Sequence, residues 1–124
     1  MFFSVDPRSG QDYWSKPMEF LVFGGNAYSQ TMLYVGTTIG KLHGIDLKTG
    51  EKTWTFSTDG YKKARLKYFK EDDSYRDDIY SIITSNEHFL EVEYELGGIF
   101  STPAITNNEI IITTTEGIVY CLKR

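Results

Sequence analysis

The sequence predicts a mainly β protein that contains about two four-stranded blades of a β-propeller and a small helical insertion. Residues 33–56 read as three short strands, because runs of branched and aromatic residues alternate there with turns that contain Gly or Asp. This unit recurs along the chain, once at an offset of 40 residues and once at an offset of 77. A segment of different composition, residues 57–97, interrupts the second repeat.

The composition suits one small domain, so we expect residues 1–124 to fold as a unit. Of the 124 residues, 40% are hydrophobic and 15% are aromatic, which is typical of sheets. The net charge of −4 does not indicate nucleic-acid binding, and no apolar run approaches the roughly 20 residues of a membrane span. The single cysteine, Cys121, excludes an intrachain disulfide and lies in an apolar run, which predicts a small core residue.

The offset of 40 is carried by three residue types that recur at the same spacing. They are Asp6, Gly10 and Trp14 in the first copy, and Asp46, Gly50 and Trp54 in the second. The Asp side chain can accept hydrogen bonds from turn amides, and a Gly four residues later can adopt a positive φ. The Trp then begins the next strand, where it can cover the turn. We therefore predict a structural role for all six residues.

The offset of 77 aligns residues 33–40 with residues 110–117 and places Gly40 opposite Gly117. Both glycines follow a Thr-rich strand end, so we predict that they are turn residues. A repeat of about 40 residues that contains several short strands is typical of a propeller blade.

The two offsets together predict the strands of each blade. In the first copy the strands cover residues 23–29, 33–37, 42–45 and 52–56. In the second copy they cover residues 99–106, 110–114 and 118–122, and the fourth strand is missing. The N-terminal Trp strand, residues 11–14, is predicted to be unattached. It could complete the last blade of another copy, which predicts a ring-completing oligomer unless the remaining blades belong to a longer chain.

Residues 57–97 are predicted to be an insertion between blades. A basic run, residues 61–70, precedes an acidic run, residues 71–78, and we expect the two runs to pair with each other rather than to bind nucleic acid or Ca²⁺. Ile79, Ile82 and Ile83 have helical spacing and predict a short helix over residues 74–83.

Residues 86–96 fit two structures. The alternation of Leu90, Val92 and Tyr94 favours a strand, whereas a cap at Ser85 and a stop at Gly97 favour a helix. We favour the helix, so that the insertion becomes a helical hairpin.

These motifs resemble the pyrroloquinoline quinone (PQQ)-like, or quinoprotein-type, β-propeller repeat. The pattern Asp-x-x-x-Gly-x-x-x-Trp at residues 6–14 and 46–54 is similar to that family's tryptophan-docking motif, and residues 101–104 look like its inner-strand opening. Residues 98–103 also resemble the C-terminal propellers of bacterial metallophosphoesterase fusions. The resemblance implies a C-terminal propeller fragment and a periplasmic or secreted location.

The sequence predicts no catalytic, cofactor-binding or metal-binding residue. His43 and His88 are too few for a zinc site, and the adjacent cysteines of many quinone-dependent members are missing. Gly24 and Gly25 are predicted to allow close packing rather than phosphate binding. We therefore expect a non-catalytic scaffold or protein-interaction unit, with the insertion as the contact surface. The alternative is the propeller part of a quinoprotein oxidoreductase, or of a larger hydrolase whose active site lies elsewhere.

Overall fold

The computed structural model describes residues 1–18 and 20–124, and within them the fold is mainly β, as predicted. The strands are β1 (Phe2–Val5), β2 (Asp12–Lys16), β3 (Ala27–Tyr28), β4 (Met32–Gly36), β5 (Lys41–Asp46), β6 (Lys52–Ser57), β7 (Ala104–Ile105), β8 (Glu109–Thr113) and β9 (Val119–Lys123). The helices are α1 (Asp59–Tyr68), α2 (Ile79–Ile82) and α3 (Asn86–Glu95). The strands form three antiparallel sheets, ordered β1-β2, β3-β4-β5-β6 and β7-β8-β9.

The N-terminal sheet is a hairpin, so the prediction of an unattached Trp strand is wrong. Strand β2 pairs with β1, and Trp14 lies opposite Ser4. In the four-stranded sheet Trp54 lies opposite Gly44, and both pairs are followed by an irregularity in the register. The hairpin therefore has the structure of β5 and β6 and corresponds to the last two strands of the repeat.

The four-stranded sheet contains one full copy of the repeat, with β4, β5 and β6 close to their predicted bounds. Strand β3 is shorter than the predicted strand, residues 23–29, because the preceding glycines pack on another segment. A Cβ on Gly24 would lie 2.7 Å from the carbonyl oxygen of Phe100, and one on Gly25 would lie 2.6 Å from Thr102 Oγ1. The predicted close packing of the two glycines is thus confirmed.

The three-stranded sheet repeats the hydrogen bonds of the four-stranded sheet at the offset of 77. Thr37 donates its N–H to the carbonyl of Lys41 at 2.8 Å, and Thr114 donates to Ile118 at 3.1 Å. The strand registers agree as well, as in the pairs Leu33–Ile45 and Ile110–Leu122. The prediction for Cys121 is wrong: its side chain is exposed, since it alternates along β9 with the inward-facing Tyr120 and Leu122.

Residues 57–97 contain all three described helices. Helix α3 confirms the favoured prediction, because the Ser85 hydroxyl accepts the N–H of His88 and Gly97 ends the helix at φ 69°. Helix α2 begins at Ile79, five residues later than predicted, because Phe69 pairs with Tyr75 and the intervening residues form a turn. Helix α1 was not predicted.

Two apolar clusters hold these elements together. One lies between the larger sheets and is formed by buried side chains of Tyr34, Leu42, Ile99, Ile110 and Ile112. The other lies within the insertion and is formed by Ile39, Tyr61, Ala64, Tyr68, Phe69, Ile79, Val92 and Leu96. Because Ile39 belongs to the turn between β4 and β5, the second cluster fixes the helices to the four-stranded sheet.

Candidate interaction surface

The two predicted turns share one hydrogen-bond pattern. Asp46 accepts the N–H groups of Lys48 and Thr49 at 2.9 and 2.8 Å, and Asp6 accepts that of Arg8 at 2.9 Å. Backbone N–H donors lower the pKa of both carboxyl groups, with that of Thr49 the main cause at Asp46 and that of Arg8 at Asp6. The glycines four residues later have φ values of 73° at Gly10 and 72° at Gly50. The structure thus places these four residues in turns.

Trp14 covers a different turn from the one expected. Its indole N–H donates to the carbonyl of Leu47 at 2.9 Å, and its ring lies on Gly50. The ring therefore docks on the turn of the next sheet rather than on its own turn. Trp54 lies at the equivalent place in β6, packs on Gly44 and remains 36% exposed.

Gly40 and Gly117 occupy equivalent turns, with φ values of 86° and 78°. Gly117 has open space where a Cβ would point, whereas Gly40 lies against the carbonyl of Leu96 and the hydroxyl of Thr58. Only in the first turn does the glycine itself lie against the insertion, because the second turn contacts it through Thr115 and Glu116. Gly40 therefore allows close contact between the sheet and the helices.

A cluster of charges joins β5 to the insertion around Asp73. Asp73 accepts hydrogen bonds from Lys41 Nζ at 2.7 Å, from Arg65 Nη2 at 2.6 Å and from the Tyr61 hydroxyl. Lys41 is only 7% exposed, and Asp73 has a φ of 64°. Burial alone would raise the pKa of Asp73, but the three donors outweigh it and hold the value at about 2.

The basic and acidic runs do pair with each other, as predicted. Besides Arg65 and Asp73, Lys70 Nζ contacts Asp77 Oδ1 at 2.6 Å. A further contact reaches α3, where Glu95 accepts from Lys67 and from the Tyr68 hydroxyl. Burial and the hydrogen bond to Glu95 raise the pKa of Tyr68 to about 12.

Sequence reasoning missed Thr58, which ties α1 to the end of α3. Its hydroxyl accepts the N–H of Tyr61 at 3.2 Å and donates to the carbonyl of Leu96 at 2.9 Å. The side chain is fully buried. The sequence does contain a signal for α1, because Tyr61, Ala64 and Tyr68 follow Thr58 at helical spacing. The segment was interpreted only as a basic run, because lysine and arginine residues lie between them.

Three aromatic side chains from separate segments form a group at the surface, which we call the aromatic patch: Phe23, Tyr94 and the half-buried Phe100. Phe23 precedes β3, Phe100 precedes β7 and Tyr94 lies on α3. The ring centroid of Phe100 is 5.7 Å from that of Phe23 and 6.4 Å from that of Tyr94. Phe23 is 76% exposed and Tyr94 is 57% exposed. The aromatic patch therefore combines one residue of the insertion, Tyr94, with one residue next to each of the two larger sheets.

The remaining predicted polar candidates are dispersed. His43 is buried and its Nδ1 is 2.7 Å from Thr55 Oγ1, which confirms a packing position. His88 is half-buried at the start of α3. Among residues 1–18 and 20–124, no group of three or more His, Cys, Asp or Glu side chains has the arrangement of a metal site. None of the described helices is long and apolar enough to cross a membrane.

Comparison with known families agrees with the repeat that the hydrogen bonds reveal. A family model described as outer membrane protein assembly factor BamB, a PQQ-like repeat, matches residues 3–68, more than half of the chain. The match includes both Asp-Gly-Trp turns, most of β1, all of β2 to β6, and α1. No curated protein matches the sequence. The chain belongs to the PQQ-like β-propeller repeat family.

Proposed function

We propose that the chain supplies consecutive blades of a β-propeller and acts as a non-catalytic scaffold that binds other proteins. The equivalent hydrogen bonds support the first part of this proposal. On this interpretation the N-terminal hairpin is the last half of one blade, the four-stranded sheet is a whole blade, and the three-stranded sheet is most of a third. Trp14 connects the first two blades through its contact with Leu47.

The aromatic patch carries the proposed interaction role. Large aromatic side chains that remain exposed and contiguous are enriched where proteins bind one another. Phe23, Tyr94 and Phe100 come from three segments, and folding gathers them with Phe23 and Tyr94 exposed and Phe100 half-buried. A partner that covered Phe23 and Tyr94 would remove apolar surface from water and gain affinity from rigid rings.

Self-association is an alternative way to complete the propeller, and the pairing of β2 limits how it can occur. Within the described residues, β9 has no strand on its far edge. If β2 of another copy filled that edge, it would either exchange β1 for β9 or pair through its other edge and add β1 as a fifth strand. A strand from the remaining blades of a longer chain requires neither, so we favour that arrangement. An origin beside a metallophosphoesterase domain and a periplasmic or secreted location remain predictions.

The interaction role can be tested by protein recovery on the immobilised full chain. We expect the double variant Phe23→Ser/Tyr94→Ser to lose the proteins that the unmodified chain retains specifically. Leu66→Ser is the matched control, because Leu66 is 51% exposed on α1 and lies outside the patch. Unchanged recovery by the double variant would show that the patch is not the contact surface.

Two further measurements address the alternatives. Light scattering of the full chain should give the mass of one copy, and a ring mass would show that copies complete each other's sheets. Titration with pyrroloquinoline quinone and Ca²⁺ should give no saturable spectral change. Saturable binding would contradict the non-catalytic role and favour an oxidoreductase.

A further inference from the structure

Four side chains lie in two parallel rows on the solvent side of α3. Leu90 and Tyr94 form an apolar row and are 48% and 57% exposed. Glu87 and Glu91 form an acidic row beside it, and both side chains are exposed. Within each row the residues are four apart, which places them one helical turn from each other, roughly 6 Å along the axis. We call these four residues the free face of α3.

The free face takes no part in the packing of the insertion. The opposite side of α3 contributes Val92 to the apolar cluster of the insertion, whereas Leu90 belongs to neither of the two apolar clusters described above. The ring of Tyr94 packs near that of Phe100 in the aromatic patch. The fold therefore leaves the apolar row exposed, and Tyr94 makes the free face continuous with the aromatic patch.

The acidic row has no counter-charge within the described part of the chain. The carboxylates of Glu87 and Glu91 form no ion pair or hydrogen bond with a described residue, whereas Glu95, on the same helix, pairs with Lys67. Like charges four residues apart on a helix repel each other. A cationic group bound beside Glu87 and Glu91 would relieve this repulsion.

The two rows select the kind of partner. A second helix can pack an apolar row against Leu90 and Tyr94, because residues four apart form ridges with the same spacing on every helix. Arginine or lysine residues in a row beside it would then lie opposite Glu87 and Glu91. An arginine guanidinium can also stack on the ring of Tyr94. A neutral helix would remove water from the two carboxylates without replacing it by a partner.

We propose that the free face of α3 binds a basic amphipathic helix of a partner protein. The apolar row of that helix covers Leu90 and Tyr94, and its basic row pairs with Glu87 and Glu91. This inference rests on the proposed interaction role, because Tyr94 belongs to both surfaces, and it adds the chemistry of the partner.

The test uses the full chain and two capped, alanine-based peptides of about 16 residues, long enough to form a helix in water. One peptide carries a leucine row and an arginine row beside it, and the other has glutamine in place of arginine. A nuclear magnetic resonance titration with the arginine peptide should give saturable shifts of the amide signals of Leu90 and Tyr94. The glutamine peptide should bind about tenfold more weakly, because it lacks the two charge pairs.

Variants without the acidic row locate the contact. Glu87→Gln/Glu91→Gln should weaken binding of the arginine peptide about tenfold and make it less sensitive to salt. The matched control is Asp12→Asn/Glu109→Gln, which removes the same net charge from exposed residues of β2 and β8. The control should change the affinity by less than about twofold, because salt screens charges outside the contact.

The proposal is overturned if the arginine peptide does not bind saturably, if the glutamine peptide binds as tightly, or if the control variant weakens binding as much as the variant on α3. Unchanged affinity of a folded Glu87→Gln/Glu91→Gln variant overturns it as well. If circular dichroism shows that this variant has unfolded, the comparison of the two peptides on the unmodified chain decides the matter.

Protein recovery on the same variants separates this proposal from the interaction role of the aromatic patch. If Phe23→Ser/Tyr94→Ser loses the retained proteins and Glu87→Gln/Glu91→Gln keeps them, the patch binds partners and the basic helix is the wrong partner. If the arginine peptide binds as expected but Phe23→Ser/Tyr94→Ser recovers the same proteins, the role of the patch is wrong and the free face still binds a basic helix.

Discussion

Trp14 donates its indole N–H to the carbonyl oxygen of Leu47 at 2.9 Å, from one sheet to the turn of the next. The ring lies so close to that turn that a Cβ on Gly50 would be 2.6 Å from Trp14 Cδ2. Gly10 holds the equivalent position in the first turn, with φ 73° against 72° and nothing within 4 Å of its Cβ position. The two glycines therefore have nearly the same backbone conformation, but only Gly50 lies against a Trp ring.

This difference makes Gly10→Ala a matched control for Gly50→Ala. We expect Gly10→Ala to lower the free energy of unfolding by about 1–2 kcal/mol, the cost of a left-handed backbone for a residue with a Cβ. Gly50→Ala should cost about 1–3 kcal/mol more, because the new methyl group displaces Trp14. Urea denaturation of both variants measures the difference, and equal losses would mean that the ring does not restrict the turn.

The indole hydrogen bond can be tested separately from the ring. Trp14→Phe keeps an aromatic ring but leaves the carbonyl of Leu47 without its donor, so we expect a loss of about 1 kcal/mol in unfolding free energy. Trp54→Phe should cost less, because the Trp54 N–H makes no hydrogen bond with a described residue and the side chain is 36% exposed. A larger loss at Trp54 would contradict the asymmetry between the two repeats.

The spacing of Asp, Gly and Trp was sufficient to predict the turns, because each of these residue types has a local reason to be there. It was not sufficient to predict where Trp14 docks. The repeat gives only the number of residues between Trp14 and its own turn. The docking partner, Leu47, depends instead on how the two sheets pack against each other. The prediction of an unattached N-terminal strand was wrong for a related reason, since the pairing of β2 with β1 needs no special residue type.

In the insertion, local signals predicted α3 and failed elsewhere. Ser85 and Gly97 act within one helical turn of the ends of α3, so the sequence alone sufficed. Asp73 adopts a positive φ that few residues other than Gly tolerate, and its three donors come from β5 and α1. No periodicity encodes such a contact, which is why the start of α2 was placed too early.

Asp73 should make the stability of the domain depend on pH in the acidic range. Its pKa is about 2 in the folded chain, against the usual 3.8. Because the folded value is lowered, the stabilisation is fully present above pH 3.8 and is lost as the pH falls through about 2. The side chain is 34% exposed, so after screening by solvent we expect only about 1 kcal/mol from this titration.

Asp73→Asn isolates that charge, because Asn also tolerates a positive φ. At neutral pH we expect a loss of about 1–3 kcal/mol, since Lys41 would remain buried without its counter-charge. Asp77→Asn is the control and should cost less than about 1 kcal/mol, because the Asp77 side chain is 92% exposed. Thermal melts from neutral pH to pH 2 should show a flatter profile for Asp73→Asn, and an unchanged profile would exclude Asp73 as the titrating group.

Thr58 should be the more important of the two helix caps in the insertion. Thr58→Val preserves the shape of the side chain but removes a hydroxyl that bonds both Tyr61 and Leu96, and it leaves both groups buried without that partner. We expect a loss of about 2–3 kcal/mol in unfolding free energy. Ser85→Ala removes a single exposed capping bond to His88 and should cost about 1 kcal/mol. Chemical denaturation followed by circular dichroism measures the unfolding free energies of the two variants. Equal losses for Ser85→Ala and Thr58→Val would show that the hydrogen bond from Thr58 to Leu96 adds no stability beyond helix capping.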